Sequence, residues 1–176
     1  MVLREKTIGS EYPFRGRILS VRVDRVLLPN GKVTTREVVE YSGAVAVVPL
    51  TERHEVVLVR QYRHAVGREL LEIPAGKLET GEEPEACARR ELLEEVGLYA
   101  GRLEFIGRFY PTPGFASEVT HLYLARDLTP GTAAPDEGEF LEIVRLPFPE
   151  AVAMVIRGEI CDAKTVCGLL LVSQML

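Results

Sequence analysis

Residues 76–98 have the sequence GKLETGEEPEACARRELLEEVGL, and this stretch decides the fold that the chain is expected to adopt. A polar loop containing glycine comes first. Pro84 suits the first position of a helix and Gly97 suits its end, so a helix is predicted over residues 84–96. Apolar residues at positions 88, 92 and 96 line one side of that helix, which can therefore pack on a sheet.

A second side of the predicted helix is acidic. Glu91, Glu94 and Glu95 stand at positions i, i+3 and i+4 and share one face. Three carboxylates in one stripe repel each other unless cations neutralise them, and Mg²⁺ bridges carboxylates to phosphates. Arg90 lies one turn before Glu94 and can hold that carboxylate. Most glutamate-rich helix faces are merely solvated, but the glycine loop, Arg90 and the terminal Gly97 favour a metal site.

Strands are predicted on both sides of this helix. Ala44–Leu50 and Glu55–Gln61 are rich in valine, and their apolar density indicates burial on both faces. Further strands are predicted at residues 69–73, 103–110, 119–125 and 140–147, a loop at 128–138, and helices at 150–157 and 163–172. This order predicts an α/β (α+β) fold of α/β/α layers with a mixed sheet.

The first forty residues predict a separate small unit. Residues 17–28 partly alternate apolar and polar side chains, Pro29-Asn30-Gly31 is a strong turn signal, and residues 33–41 form a return strand. We therefore expect an N-terminal antiparallel β-hairpin unit over residues 1–42. A larger domain over residues 43–176 follows it.

The composition and net charge limit the classes of partner and the cellular locations that are expected for this chain. The net charge of −5 and the isoelectric point near 5.4 argue against a nucleic-acid partner, and a phosphorylated substrate would need a cation in its site. No apolar run is long enough to span a membrane, and the first ten residues lack a signal-peptide core. Three cysteines without a CxxC pair indicate reduced thiols and a cytoplasmic location.

The acidic segment resembles the Nudix box, GX5EX7REUXEEXGU, in which U is a bulky aliphatic residue. Residues 76–98 agree with it at every defined position. The resemblance implies a Nudix α/β/α sandwich that hydrolyses a nucleoside diphosphate linked to another moiety. It also implies that Glu91 and Glu95 bind the metal with Glu94 beside them. The main-chain carbonyl before the box glycine, here that of Ala75, is then a further ligand, and Gly76 lies among the substrate-binding residues.

Other segments resemble the ADP-ribose pyrophosphatase subgroup of that family. Arg60-Gln61-Tyr62-Arg63 and Leu71-Glu72-Ile73-Pro74-Ala75-Gly76 are similar to its QYR and LEIPAGK segments, and Pro113 follows Gly97 at the spacing of its marker proline. The resemblance implies hydrolysis of ADP-ribose to AMP and ribose 5-phosphate with Mg²⁺, or with Mn²⁺ or another divalent cation. It also implies a homodimer formed through the N-terminal unit.

The resemblance further implies roles for individual side chains. Arg63 corresponds to an arginine that meets the substrate's phosphates, and Glu118 to a glutamate near the terminal ribose. Arg36 and Glu37 stand where relatives contact adenine, partly across the dimer. An aromatic residue often stacks there; here the Arg36 guanidinium or the Phe14 ring could do so. A surface arginine and a solvated loop glutamate are the competing interpretations of Arg63 and Glu118.

A loop glutamate is the expected general base or further metal ligand. Glu137 is the first candidate and Glu139 the second, and Glu94 on the helix follows if both fail. Other substrates stay open, among them GDP-mannose, NADH, related sugar nucleotides and oxidised nucleoside triphosphates. A catalytically silent Nudix domain that senses nucleotides is the alternative from another class, but it would be expected to have a damaged box.

Overall fold

The computed structural model describes residues 3–135 and 137–176. The chain divides into two compact units. One contains the residues up to Gly43 together with Tyr110–Val119, and the other contains Ala44–Phe109 and Thr120–Leu176.

The smaller unit is a three-stranded antiparallel sheet in the order β1-β2-β3. Its strands are β1 (Lys6–Arg15), β2 (Ser20–Leu27) and β3 (Val33–Glu40). The expected hairpin is β2–β3, and Gly31 closes its turn at φ 82°. Strand β1 was not predicted, because Gly9 and Pro13 interrupt any apolar alternation, and every β1 residue is exposed in the single chain.

The larger unit contains two sheets and three helices among the described residues. A four-stranded sheet has the order β7-β4-β9-β8, with β4 and β9 parallel, and a three-stranded antiparallel sheet has the order β10-β5-β6. The elements are β4 (Ala44–Pro49), β5 (Glu55–Arg63), β6 (Arg68–Glu72), β7 (Ala75–Lys77), α1 (Pro84–Val96), β8 (Leu98–Phe109), β9 (Thr120–Pro130), β10 (Leu141–Pro147), α2 (Phe148–Ile156) and α3 (Ala163–Ser173).

The core lies on both faces of these sheets. Along β4, Val45 and Val47 pack in one cluster with Leu92 of α1, whereas Val48 packs in the other with Leu169 of α3. Alternate side chains of a strand point to opposite faces. Helices therefore cover both faces, which confirms the expected α/β/α layering with a mixed sheet.

Strands β5, β8 and β9 are longer than the sequence predicts, and Gly76 and Lys77, expected in the polar loop, belong to β7. Strand β8 begins at Leu98, directly after α1, because Leu98 pairs with Pro130 at the end of β9. Residues 128–130, expected in a loop, therefore belong to β9. None of the helices in the described ranges is long and apolar enough to cross a membrane.

Candidate active site

The C-terminal end of α1 is fixed by its terminal glycine. Gly97 has φ 64°, and its N–H donates to the carbonyls of the last helical turn. A Cβ at this position would also lie 2.8 Å from the backbone nitrogen of Ala133. The close approach of the two segments allows backbone hydrogen bonds between them. The N–H of Gly131 donates to the Gly97 carbonyl at 2.7 Å, and that of Ala134 donates to the Glu94 carbonyl at 2.9 Å. Residues 131–134 are therefore attached to the helix.

The start of the acidic segment lies against the helix face. Strand β7 pairs with β4, which places Ala75 beside Ala46. The Ala75 N–H donates to Oε2 of Glu95 at 3.0 Å. A Cβ on Gly76 would lie 1.8 Å from Oε1 of Glu91, so any larger residue here would displace that carboxylate. The structure thus brings Ala75, Gly76, Glu91 and Glu95 together.

Arg90 organises the acidic face. Its Nε and Nη2 donate to the two oxygens of Glu82 at 2.9 and 3.0 Å, and its Nη1 donates to Glu91 at 2.6 Å and to Glu94 at 2.9 Å. The Arg90 hydrogen bonds lower the pKa of Glu82 to about 2. The sequence predicted the contact with Glu94 but missed those with Glu82 and Glu91. Glu82, a defined position of the box, was the available signal.

Burial makes two of the carboxylates unusually basic. The pKa of Glu91 is raised to about 7, first by burial and then by the charges of Glu94 and Glu139, against the opposing effect of Arg90. The pKa of Glu95 is raised to about 8, first by burial and then by the charges of Glu91 and Glu139, against the hydrogen bond from Ala75. The charge of Glu139 therefore reaches both carboxylates.

The residues of this face fit a hard divalent cation. Glu91 and Glu95 offer buried carboxylate oxygens of like charge, and the Glu91 carboxylate lies where a Cβ at Gly76 would otherwise be, directly against the backbone. No three His, Cys, Asp or Glu side chains within residues 3–135 and 137–176 are already grouped as a metal site. Arg90 instead supplies the positive charge beside Glu91 and Glu94.

Arg63 has a buried carboxylate partner that was not foreseen. Its Nε and Nη2 each donate at 2.7 Å to one oxygen of Glu72, and Lys164 binds the same carboxylate. The side chain of Glu72 is only 1% exposed. A single glutamate between Leu71 and Ile73, both buried, was the signal in the sequence.

Glu137 and Glu139 precede β10 in the larger unit, and the other predicted residues belong to the smaller unit. Arg36 and Glu37 lie on β3, and Glu118 lies in the segment Tyr110–Val119. The Arg36 guanidinium donates to Glu5 at 2.6 and 3.1 Å. Phe14 lies on β1 with its side chain exposed. These residues form part of one unit, and Arg63 with the acidic face forms part of the other.

Comparison with known proteins identifies the family. Residues 40–167 match the family description "NUDIX domain", and residues 5–39 match "Nucleoside diphosphate sugar hydrolase N-terminal domain". The chain belongs to the Nudix family, as the box indicated. It is accordingly a Nudix pyrophosphohydrolase.

Individual relatives are similar over nearly the whole chain. An ADP-ribose pyrophosphatase of Bacillus subtilis is 45% identical, with 93% of this chain and 89% of the relative covered. A methanol dehydrogenase activator of Bacillus methanolicus is 43% identical, with 94% and 90% covered. A crystal structure of an ADP compounds hydrolase superposes with a TM-score of 0.89 at 27% identity and covers 100% of this chain and 96% of its own.

The raised pKa values predict how stability changes with pH. We expect the metal-free protein to lose stability as the pH rises from about 4.5 to about 8. Glu91 and Glu95 have an ordinary pKa of 4.5 but folded values of about 7 and about 8, so the folded state binds more protons in this interval. Stability then falls with rising pH.

Thermal unfolding in EDTA at pH 5.5 and pH 8.5 measures this effect. Glu95→Gln should flatten the dependence, whereas Glu104→Gln, on an exposed position of β8, should leave it unchanged. An equally steep dependence in Glu95→Gln and the wild type would contradict the assignment of the shift to this site.

Proposed function

We propose that this enzyme hydrolyses ADP-ribose to AMP and ribose 5-phosphate with Mg²⁺ or another divalent cation. The observation that carries the proposal is the intact acidic face, in which Glu91 and Glu95 are buried beside the Gly76 backbone. The relative named ADP-ribose pyrophosphatase, matched over nearly its whole length, supports the choice of substrate.

In this proposal the carboxylates of Glu91 and Glu95 and the carbonyl of Ala75 hold the cation. When bound, such a cation polarises a phosphoryl oxygen and makes water more acidic. Pairing between β7 and β4 fixes the position of Ala75, and Arg90 limits the freedom of Glu91 and Glu94. Preorganised charges of this kind are a major source of catalysis in phosphoryl transfer.

The protein's other residues would bind the substrate and accept a proton. Arg63 would meet the diphosphate, since both Glu72 bonds use the same edge of its guanidinium and leave Nη1 for another acceptor. Arg36 and Glu37 would contact adenine, and Glu118 the terminal ribose. A glutamate of the loop before β10, Glu137 or Glu139, would act as general base. The charge of Glu139, which raises the pKa of Glu91 and Glu95, supports Glu139.

A substrate panel tests the proposed function. Purified protein with Mg²⁺ would be assayed against ADP-ribose, GDP-mannose, NADH and an oxidised nucleoside triphosphate, with products followed by ³¹P NMR. We expect the largest kcat/KM for ADP-ribose, with AMP and ribose 5-phosphate as products. A larger value for GDP-mannose or NADH would assign another substrate to the same site. Nucleotide binding without any hydrolysis would support a sensor.

The smaller unit leads us to propose a homodimer in which residues 1–42 supply the interface. Strand β1 exposes Ile8, Tyr12 and Phe14, and a small sheet is marginal unless it packs against something. We expect sedimentation equilibrium at micromolar concentration to give twice the mass of the chain. A monomer under those conditions would argue against the dimer, as would a truncation of residues 1–40 that keeps full activity.

We also propose that the enzyme works in the cytoplasm. Cys87, Cys161 and Cys167 are all free thiols in the structure, which suits a reducing compartment. Cys87 is buried against the acidic face, and its pKa is raised to about 12, chiefly by burial. It is therefore not a reactive thiol at neutral pH.

A further inference from the structure

A cluster of four charged side chains lies beside the acidic face of the larger unit. It consists of Arg63 on β5, Glu72 on β6, and Asp162 and Lys164 at the start of α3. We propose that Glu72 and Lys164 are positioning residues that hold the Arg63 guanidinium in the orientation needed to bind the substrate's diphosphate. This inference rests on the proposed function and adds α3 to the elements that build the site.

The orientation of Arg63 is set by a bidentate contact. Two parallel N–H donors meet the two oxygens of Glu72, both at 2.7 Å, and this geometry fixes the plane of the guanidinium as well as its position. Arg63 and Glu72 lie on neighbouring strands, but they are not opposite each other in the register, because Glu72 pairs with Val59. The side chain must therefore run along the sheet to reach its partner, and without that partner it would be free to turn away.

Lys164 fixes Glu72 in turn. Its Nζ contacts Oε2 of Glu72 and lies 3.0 Å from Oδ1 of Asp162. The other oxygen of Asp162 caps α3 by accepting from the N–H of Thr165 at 3.0 Å and from its hydroxyl at 2.6 Å. The first turn of α3 is thereby rigid, and the ammonium group is held where it meets the buried carboxylate.

The same turn also holds the backbone that follows Glu72. The N–H of Ile73 donates to Oγ1 of the fully buried Thr165 at 2.9 Å. Two residues further on, the N–H of Ala75 donates to Glu95. A continuous set of contacts thus joins the start of α3, the end of β6 and the acidic face of α1.

Stability alone gives a poor reason for this cluster. Taking charges out of water carries a penalty that their attraction often only balances, and apolar residues of similar size would pack as well. Glu72 lies between Leu71 and Ile73 in a strand that is otherwise buried and apolar at this end. Arg63 is the one cluster member with substantial exposure, 39% for its side chain. The cluster therefore presents the positively charged guanidinium group of Arg63 at the surface.

The exposed guanidinium group of Arg63 interacts electrostatically with the acidic face. The positive charge of Arg63 lowers the pKa of Glu95, while burial raises it more strongly. The charge of Glu95 in turn contributes to the raised pKa of Arg63, whose largest cause is the hydrogen bond to Glu72. A diphosphate bound through a cation held by Glu91 and Glu95 would therefore lie within the field of Arg63.

A double-mutant cycle tests whether Lys164 acts through Arg63. The variants are Lys164→Met, Arg63→Met and the double variant, and Lys164→Arg serves as the conservative rescue. Arg157→Met is the matched control, since Arg157 also bridges two carboxylates, Glu150 and Glu159, but at the exposed end of α2. Kinetic constants would be measured with the best substrate of the panel, so that a substrate other than ADP-ribose overturns the proposed function without affecting this test.

We expect Lys164→Met to lower kcat/KM on the order of tenfold, mostly through KM, as for the loss of one hydrogen bond to a charged group. The double variant should be no worse than Arg63→Met, Lys164→Arg should recover most of the loss, and Arg157→Met should match the wild type. Additive losses in the double variant would overturn the inference, because additivity means that Lys164 acts independently of Arg63.

A second measurement does not depend on activity. The Nε–H group of Arg63, assigned in ¹⁵N–¹H spectra by its absence in Arg63→Met, should exchange slowly with water in the wild type because Glu72 accepts from it. Lys164→Met should speed this exchange at least severalfold, and Lys164→Gln provides a second variant if the first does not fold. Unchanged exchange in a folded variant would show that Lys164 does not hold the Glu72–Arg63 pair, and would overturn the inference.

Discussion

Glutamine at position 91 or 95 is expected to lower turnover by orders of magnitude in a protein that still folds. Each replacement removes a negative oxygen from the pair that would hold the cation, and a neutral amide is a weaker ligand for a hard ion. The fold should persist because both carboxylates are buried and have raised pKa values, so their charge is already unfavourable there. A glutamine at 95 can still accept from the Ala75 N–H.

Steady-state rates at saturating Mg²⁺ measure the effect on turnover, and thermal unfolding in EDTA measures the effect on stability. The metal-free variants should unfold at or slightly above the wild-type temperature at pH 8. Glu104→Gln removes an exposed carboxylate from β8 and should behave like the wild type. Turnover near the wild-type value in either Glu91→Gln or Glu95→Gln would remove the basis of the proposed metal site.

Loss of the loop base is expected to have the second largest effect. We expect Glu139→Gln to lower kcat on the order of 10²–10⁴-fold, the range for removal of a general base, with little change in KM. The sequence alone placed Glu137 first. The charge of Glu139 reaches Glu91 and Glu95, and for that reason we place Glu139 first.

Glu137→Gln is the matched control, since it removes the same charge two residues away in the same exposed loop. Its loss should be smaller, and a larger loss would restore Glu137 as the base. If both single variants and the double variant keep kcat within a factor of a few, neither residue is the base. Glu94, which is held by Arg90 on the helix, would then be tested next.

Much of the fold was predictable because its signals are local. Proline at the start and glycine at the end define α1, whose bounds are those expected, and the apolar density of β4 and β5 shows that they are buried. Strand β1 and the extensions of β8 and β9 were missed. Every residue of β1 is exposed, and the added ends of β8 and β9 have no regular alternation of apolar and polar residues, so pairing with a neighbouring strand is what holds them in a sheet.

The site was predictable to the extent that its residues share one helix. The i, i+3 and i+4 spacing brings Glu91, Glu94 and Glu95 to one face whatever surrounds them. The contact of Lys164 with Glu72 joins residues 92 positions apart, and no periodicity contains that information. The close approach of Gly76 to Glu91 likewise depends on tertiary structure, although the glycine at the start of the box indicated a tight backbone position there.

The hydrogen bonds that attach residues 131–134 to α1 limit how far the loop carboxylates can lie from that helix. Ala134 is one fixed end, and Leu141, paired with Gln61, is the other. Each residue spans at most about 3.6 Å of backbone. The Cα atom of Glu139 therefore lies at most about 7 Å from that of Leu141, and the Cα atom of Glu137 lies at most about 14 Å from it. Such a tether keeps a carboxylate at an effective concentration on the order of millimolar. Doubling the loop adds only about 0.6 kcal/mol of closure entropy, so inserted glycines should slow the enzyme gradually rather than silence it.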